Sequence, residues 1–222
     1  MKRFVDFVLS LITLGLIWPA LLLVAFIVRL KIGRPALFRQ QRPGLYGKPF
    51  HILKFRTMTD ERDALGQLLP DEKRLTPLGR FLRRTSLDEL PELINVLMGE
   101  MSLVGPRPLL MSYLPYYSAR EQIRHQVRPG ITGWAQINGR NYIPWDERLA
   151  LDVWYVEHRS LLLDLKILFL TVLKVITSEG VAANPDDAET DLDQERQQKA
   201  ESNWLHLAGA DNPPTLCHRG ER

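Results

Sequence analysis

The chain has 222 residues, a formal net charge of +3 and a single cysteine, and its residues 184–222 carry nine acidic and four basic side chains, leaving +8 on the preceding part. That length suits one compact domain with additions, and one cysteine excludes an internal disulfide and fits a reducing compartment. The basic body fits phosphate-bearing partners, whether nucleotides, anionic lipid head groups or nucleic acid.

Lys2 and Arg3 precede an uncharged, mostly apolar run of 22 residues over 7–28. As one helix the run would reach about 33 Å, enough to cross a bilayer. It exceeds the usual signal-peptide core and no small-x-small cleavage site follows, so it reads as a retained membrane segment. Trp18-Pro19 divides it into two arms, each too short to cross alone. Basic residues flank both ends: Lys2 and Arg3 before it, Arg29, Lys31, Arg34, Arg39 and Arg42 after it. Such flanks prefer the cytoplasm. Two forms stay open, an ordinary span that tolerates its proline and a re-entrant helix that breaks at Pro19 and returns to the face it entered.

Residues 36–41 and 49–55 read as short strands around Pro43-Gly44 and Gly47, which predicts a β-hairpin. Lys54 and Arg56 would project from one face of the second strand. They are either a solvated face or, bracketed by Phe50, Ile52, Phe55 and Met58, part of a site. Residues 59–76 are charged and broken by Gly66 and Pro70, which predicts a surface loop and permits a flap. A short basic helix follows over 77–84, carrying Arg80, Arg83 and Arg84. Ser86 and Glu89 have capping-box spacing, and Leu90, Leu93, Ile94 and Leu97 recur with helical period, placing Asp88 and Glu89 in a helix's first turn. There the two acids either cap the helix and answer its dipole or, among arginines, supply a nucleophile aimed at phosphorus.

Gly105, Pro106 and Pro108 hold Arg107 in a turn of little freedom. A helix is predicted over 113–124, with Tyr113, Tyr116, Tyr117 and Ile123 either in the core or on a membrane surface. The glycines of 128–140 mark close turns, and Arg140 is a surface cation or the partner of a phosphate or carboxylate. Further helices are predicted over 146–157, where Asp152 is a salt-bridge partner or a site residue, and over 161–176. The last is apolar on nearly every face, hence buried or at a membrane interface. After Gly180 the composition is too polar for a core. The sequence has no zinc-type cysteine spacing, P-loop or glycine-rich kinase loop.

Four ordered stretches resemble the signature of the small monotopic phosphoglycosyl transferases of bacteria, the bacterial sugar transferase family. They are Lys54-Phe-Arg56-Thr-Met58, Ser86-Leu-Asp88-Glu89-Leu-Pro91-Glu-Leu, Met101-Ser-Leu-Val-Gly105-Pro106-Arg107-Pro108 and Arg128-Pro-Gly130-Ile-Thr-Gly133-Trp134-Ala-Gln136-Ile-Asn138-Gly139-Arg140. The likeness runs from about Lys2 to about Gly180. It implies an α+β fold, a mostly helical globular domain with a small β-hairpin over 31–180. An N-terminal re-entrant membrane helix over 1–30, broken at Pro19, would precede it, and a flexible acidic tail over 181–222 would follow. The family's break is typically Ser-Pro; here Trp18 replaces the serine.

The resemblance further implies transfer of a sugar-1-phosphate from a UDP-sugar to polyprenol phosphate through an aspartyl-phosphosugar intermediate, releasing UMP. This would be the first membrane step in assembling an exopolysaccharide, O-antigen, capsule or other glycan, at the inner leaflet and cytoplasmic face of the bacterial inner membrane. Mg²⁺ is the implied cofactor. Asp88 is the implied nucleophile and metal ligand, Glu89 the second catalytic residue, and Lys54, Arg56, Arg83, Pro106, Arg107, Pro108, Arg140 and Asp152 the substrate-binding set. Two other classes use the same cations: a non-catalytic membrane-anchored adaptor for phosphate-bearing partners, and a phosphatase or kinase acting on lipid phosphates. Nucleic acid is not expected as a partner. The sugar, the polyprenol length and the oligomeric state, a homo-oligomer included, stay open.

Overall fold

A computed structural model describes residues 1–139, 143–177 and 191–199. The apolar run lies within one helix, α1 (Lys2–Lys31), with Pro19 inside it. The middle of α1 exposes Leu16, Trp18, Leu22, Leu23 and Phe26, and both ends are docked on the same body. At the start Lys2 pairs with Asp164 at 2.6 Å, Arg3 donates to the Val96 and Leu97 carbonyls, and Asp6 accepts from Ser102 Oγ and the Leu103 amide. At the far end Val28 and Ile32 are buried with Phe55 and Leu82.

The hairpin forms where the alternation placed it, β1 (Leu37–Pro43) running antiparallel to β2 (Pro49–Phe55). Its register sets Phe38 opposite Lys54, Gln40 opposite Ile52 and Arg42 opposite Phe50, so these six side chains share one face. Phe50 and Ile52 on that face pack with Val96 and Met101. Buried Asn95 ties the hairpin to the next element by accepting from the Leu53 amide and donating to the His51 carbonyl.

The segment after the hairpin holds a one-turn helix, α2 (Asp71–Arg74), and is drawn together by bridges pairing Met58 with Leu75 and Arg62 with Leu68. α3 (Pro77–Arg84) is capped by Thr76, whose Oγ1 accepts from the Gly79 amide. The expected capping box does not form. Ser86 sits at φ 55 with no capping hydrogen bond, Leu87–Glu89 is a 3-10 turn, and α4 (Glu92–Met98) starts only after Pro91. Glu89 cannot reach back to an amide because Lys54 and Arg107 hold its carboxylate.

Beyond α4, β3 (Ser102–Val104) pairs in parallel with β4 (Gly130–Thr132). The helix expected over 113–124 is instead two 3-10 segments, Met111–Tyr116 and Glu121–Gln126. Pro115 removes a donor from the first and Tyr117 leaves it with extended backbone. α5 (Trp134–Asn138), α6 (Trp145–His158) and α7 (Leu161–Thr177) complete the body, the last two where periodicity predicted helices. α7 buries Ile167 and exposes Leu162, Leu165, Phe169 and Val172. The architecture is thus mostly helical with two small sheets, as the α+β reading expected. The chain divides into two units, Met1–Glu189 and Thr190–Arg222, and the second contains helical residues 192–199. The rest of the acidic tail, 181–190 and 200–222, lies outside the described residues.

The β3–β4 junction leaves no room for a side chain. A Cβ on Gly130 would lie 2.1 Å from the Gly105 amide nitrogen and 2.4 Å from the Thr132 carbonyl oxygen. Gly130→Ala is expected to cost about 1–3 kcal/mol and to lower the melting temperature of the detergent-extracted protein. An unchanged melt would contradict so close a backbone approach.

Candidate active site

Three separate segments meet at one carboxylate. Lys54, one residue before the end of β2, places its ammonium 2.6 Å from Glu89 Oε1, and Arg107 reaches the same oxygen at 2.5 Å. Burial alone would raise the Glu89 pKa, but Arg107 and Lys54 together overturn that and hold the carboxyl well below the usual carboxylate range. It is ionised at any physiological pH.

Asp88, its neighbour, is in the opposite situation. It is 8% exposed and, among the described residues, forms no ion pair. Burial and then the Glu89 charge raise its pKa, against the weaker pull of Lys54, Arg107 and Arg83 from beyond pairing distance. A carboxylate left unpaired in a cationic setting keeps its basicity. One locked in ion pairs loses it.

The turn carrying Arg107 is held at three successive carbonyls. Pro106 accepts from the Gly130 amide at 3.0 Å, Arg107 from Arg124 Nη2 at 2.7 Å, and Pro108 from Arg42 Nη1 at 3.4 Å. Arg124 is buried and paired at 2.7 Å with Asp152, itself 2% exposed. Asp152 therefore supports the turn from within the body, as the salt-bridge alternative expected. Arg83 is kept near by donating Nε to Thr57 Oγ1 at 3.2 Å. Pro106 and Pro108 are buried.

Lys54, Arg83, Asp88, Glu89 and Arg107 are thus brought together. Arg56 is not among them: it pairs at 2.5 Å with Asp60, on the loop after β2. β2 ends at Phe55, so the alternation that would have set Arg56 on the face of Lys54 no longer applies. Arg140 lies outside the described residues, and Pro19 lies in α1, away from this cluster in sequence and in role.

Sequence reasoning missed three groups. Glu92, 1% exposed, has Oε1 3.3 Å from Lys54 Nζ without forming a hydrogen bond to it. Its spacing of one helical turn from Asp88 was the available signal. Arg124 carried no signal beyond its charge, and Arg42 was counted only as a basic membrane flank.

Among the described residues, no group of three or more His, Cys, Asp or Glu side chains is placed to enclose a metal ion. A Mg²⁺ ion shared with substrate phosphates needs only one or two carboxylates, the rest of its shell being phosphate oxygen and water. The unpaired Asp88 carboxylate fits that requirement, and Glu89, occupied by two cations, does not.

The profile of the family described as bacterial sugar transferase matches residues 1–178. The chain is 59% identical over 181 residues to an uncharacterized sugar transferase, EpsL, of Bacillus subtilis strain 168, covering 82% of this chain and 90% of that protein. It is 44% identical over 189 residues to a UDP-glucose:undecaprenyl-phosphate glucose-1-phosphate transferase of Caulobacter vibrioides, covering 81% of this chain and 71% of the relative. A protein of the same name from Klebsiella pneumoniae is 45% identical over 183 residues, which are 78% of this chain and 39% of the relative. The chain thus spans well under half the length of that last protein.

The buried Glu92 carboxyl yields a pH prediction. Burial first, then Glu89, push its pKa from 4.5 up to about 7, against the pull of Lys54. A carboxyl raised on folding adds stability that is complete below its unfolded pKa of 4.5 and is lost as pH rises through about 7. The melting temperature should therefore fall between about pH 5 and about pH 8, and Glu92→Gln should flatten that fall. An identical slope in both proteins would remove Glu92 as its source.

Proposed function

The chain belongs to the bacterial sugar transferase family, and from that premise we propose that it moves a sugar-1-phosphate from a UDP-sugar to a polyprenyl phosphate, with Asp88 as the nucleophile. The observation that carries the reading is the division between two adjacent acids, Glu89 locked between Lys54 and Arg107 and Asp88 buried beside them without an ion pair. A capping role would have produced the reverse, side chains turned to amides and clear of cations.

In the first step an Asp88 carboxylate oxygen bonds to the sugar-bearing phosphorus. The bond from that phosphorus to the bridging oxygen breaks, and its electron pair leaves on UMP. In the second step a phosphate oxygen of the polyprenyl phosphate attacks the same phosphorus and returns Asp88 as carboxylate. No proton is gained or lost overall. Lys54, Arg107 and Arg83 stand where negative charge must be balanced, and Glu89 keeps Lys54 and Arg107 aligned without letting either collapse onto Asp88. Asp88 would hold Mg²⁺, whose charge would offset that of the diphosphate so that a carboxylate can approach it.

The lipid acceptor requires a site at the membrane boundary. α1 is long and apolar enough to cross a bilayer. Yet Lys2, Arg3 and Asp6 dock on the same body as Val28 and Ile32. A span would separate those ends by roughly 30 Å of hydrocarbon. The double docking supports the re-entrant form, with both ends and the catalytic body on the cytoplasmic face of the bacterial inner membrane. The exposed apolar face of α7 supports contact with the same surface. The reaction would serve exopolysaccharide or related glycan assembly.

Two outcomes test these readings. Asp88→Asn in membranes supplied with a UDP-sugar and Mg²⁺ should lower UMP release by about 10³-fold or more; near-parental release would end the nucleophile assignment. A cysteine placed at the N-terminus should react with a membrane-impermeant reagent only from the cytoplasmic side. Labelling from outside intact cells would eliminate the hairpin.

A further inference from the structure

Arg42 is a cation of this neighbourhood that neither the sequence motifs nor the proposed chemistry uses. It sits on β1 opposite Phe50, on the same hairpin face as Lys54. Along the strands the two positions are four residues apart, roughly 13 Å. The Arg107 turn links them: Arg107 shares Glu89 with Lys54 on one side, and the carbonyl of the next residue, Pro108, accepts from Arg42 on the other. Lys54 and Arg42 thus stand on one hairpin face with the Arg107 turn joining them, a row of three cations with Asp88 beside Glu89 at the Lys54 and Arg107 end.

The row is unevenly compensated. Glu89 serves Lys54 and Arg107 together, while Arg42 has, among the described residues, no carboxylate partner. Its hydrogen bonds go to Gln40 Oε1 at 2.6 Å and to the Pro108 carbonyl at 3.4 Å, the latter near the long limit for such a bond, and its buried Nε has no acceptor. Burial, then the Arg107 charge, push its pKa down to about 10, so it stays protonated at neutral pH in a place unfavourable to a cation. A guanidinium serving only as a strut for the turn would have its fork satisfied, as Arg124 does through Asp152, Tyr117 and the Arg107 carbonyl. A guanidinium with an unsatisfied Nε and no carboxylate pair, beside a second guanidinium, matches a bidentate phosphate.

We propose that Arg42 binds the nucleotide-side phosphate of the donor diphosphate, the one that leaves as UMP, while Arg107 and Lys54 hold the sugar-bearing phosphate next to Asp88. The inference rests on the UDP-sugar reading for its identity as a donor contact. As a phosphate site it stands on the row of cations alone. The geometry assigns the ends: Arg42 contacts the carbonyl of Pro108, the residue after Arg107, and stands four hairpin positions from Lys54, so it belongs to the leaving group, away from the attacked phosphorus.

The test compares the full-length protein with Arg42→Gln and Arg42→Lys, using inorganic pyrophosphate, uridine and UMP as calorimetric probes and UDP-sugar turnover as the kinetic one. Loss of a charged bidentate contact should weaken pyrophosphate and UMP binding by about tenfold to a hundredfold, leave uridine unchanged, and raise the donor KM more than it lowers kcat. Arg42→Lys should recover part of the loss, because it keeps the charge and loses the fork. Equal weakening of uridine and UMP, or pyrophosphate binding unchanged in Arg42→Gln, would overturn the assignment. If Arg42→Gln does not fold, mass-spectrometric mapping of phenylglyoxal modification in the parent protein decides. Pyrophosphate should protect Arg42, and modification at an unchanged rate would sink the proposal. Should the parent bind pyrophosphate through Arg42 yet release no UMP from any UDP-sugar, the phosphate site survives and the transferase reading fails; normal turnover with an indifferent Arg42 gives the reverse.

Discussion

The constraint on which the site depends is that Glu89 is shared by two cations from distant parts of the chain. Lys54 arrives on β2 and Arg107 on a proline-flanked turn, and both meet the same carboxylate oxygen. Removing one partner of such a partly buried pair would leave an uncompensated charge, so each of the three segments is held by the other two. The arrangement also separates two residues that chemistry alone would treat alike. Glu89 is ionised and immobile, and Asp88 next to it is raised in pKa and unpaired. Environments that drive neighbouring acids apart in this way are how one site assigns different roles to the same functional group.

Behind that junction lies a shell that fixes position. Asn95 joins α4 to β2 and thereby sets the distance between the Asp88 turn and Lys54. Arg124 and Asp152 hold the Arg107 carbonyl from the interior, and the side-chain-free contact of Gly105 with Gly130 brings β4 against the same turn. The membrane segment reaches this shell as well. Lys2 donates to the Val104 carbonyl at 3.0 Å and pairs with Asp164, and Tyr155 OH donates to Asp164 Oδ1 at 2.7 Å. Val104 directly precedes the turn that carries Arg107. The first residues of the apolar helix are therefore part of the scaffold of the site as well as an anchor.

What the sequence made legible were elements with enough length for a period to register. The hairpin, α6 and α7 lie where alternation and helical spacing put them. β3 and β4 are three residues each, too short for any periodicity, and their parallel pairing is specified by glycines that matter only once the two backbones touch. The capping box failed for a different reason: Ser and Glu at that spacing suit a helix start, but the tertiary partners Lys54 and Arg107 outcompete a local amide. The partners of Arg56 and Asp152, Asp60 and Arg124, were not legible, because residue type and proximity in sequence say nothing of which acid or base will pair with them. Arg42 was read as one more basic flank, and its position appears only in the hairpin register, where it falls opposite Phe50.

The charge balance of the cluster suits it to an anionic ligand. Lys54, Arg83, Arg107 and Arg42 face Asp88, Glu89 and a Glu92 whose pKa near 7 leaves it partly protonated at neutral pH. The acids thus fall short of the cations, and the site rests with excess positive charge. Even with all three acids ionised the four cations would exceed them by one, and with each acid paired a diphosphate would have to displace those pairs to enter. Burial, which disfavours the Glu92 charge, and an unpaired Asp88 leave the excess available. The same excess explains the role division between the adjacent acids. Without Glu89 to occupy them, Lys54 and Arg107 would be drawn onto Asp88, lowering its pKa and with it the reactivity that the proposed chemistry requires.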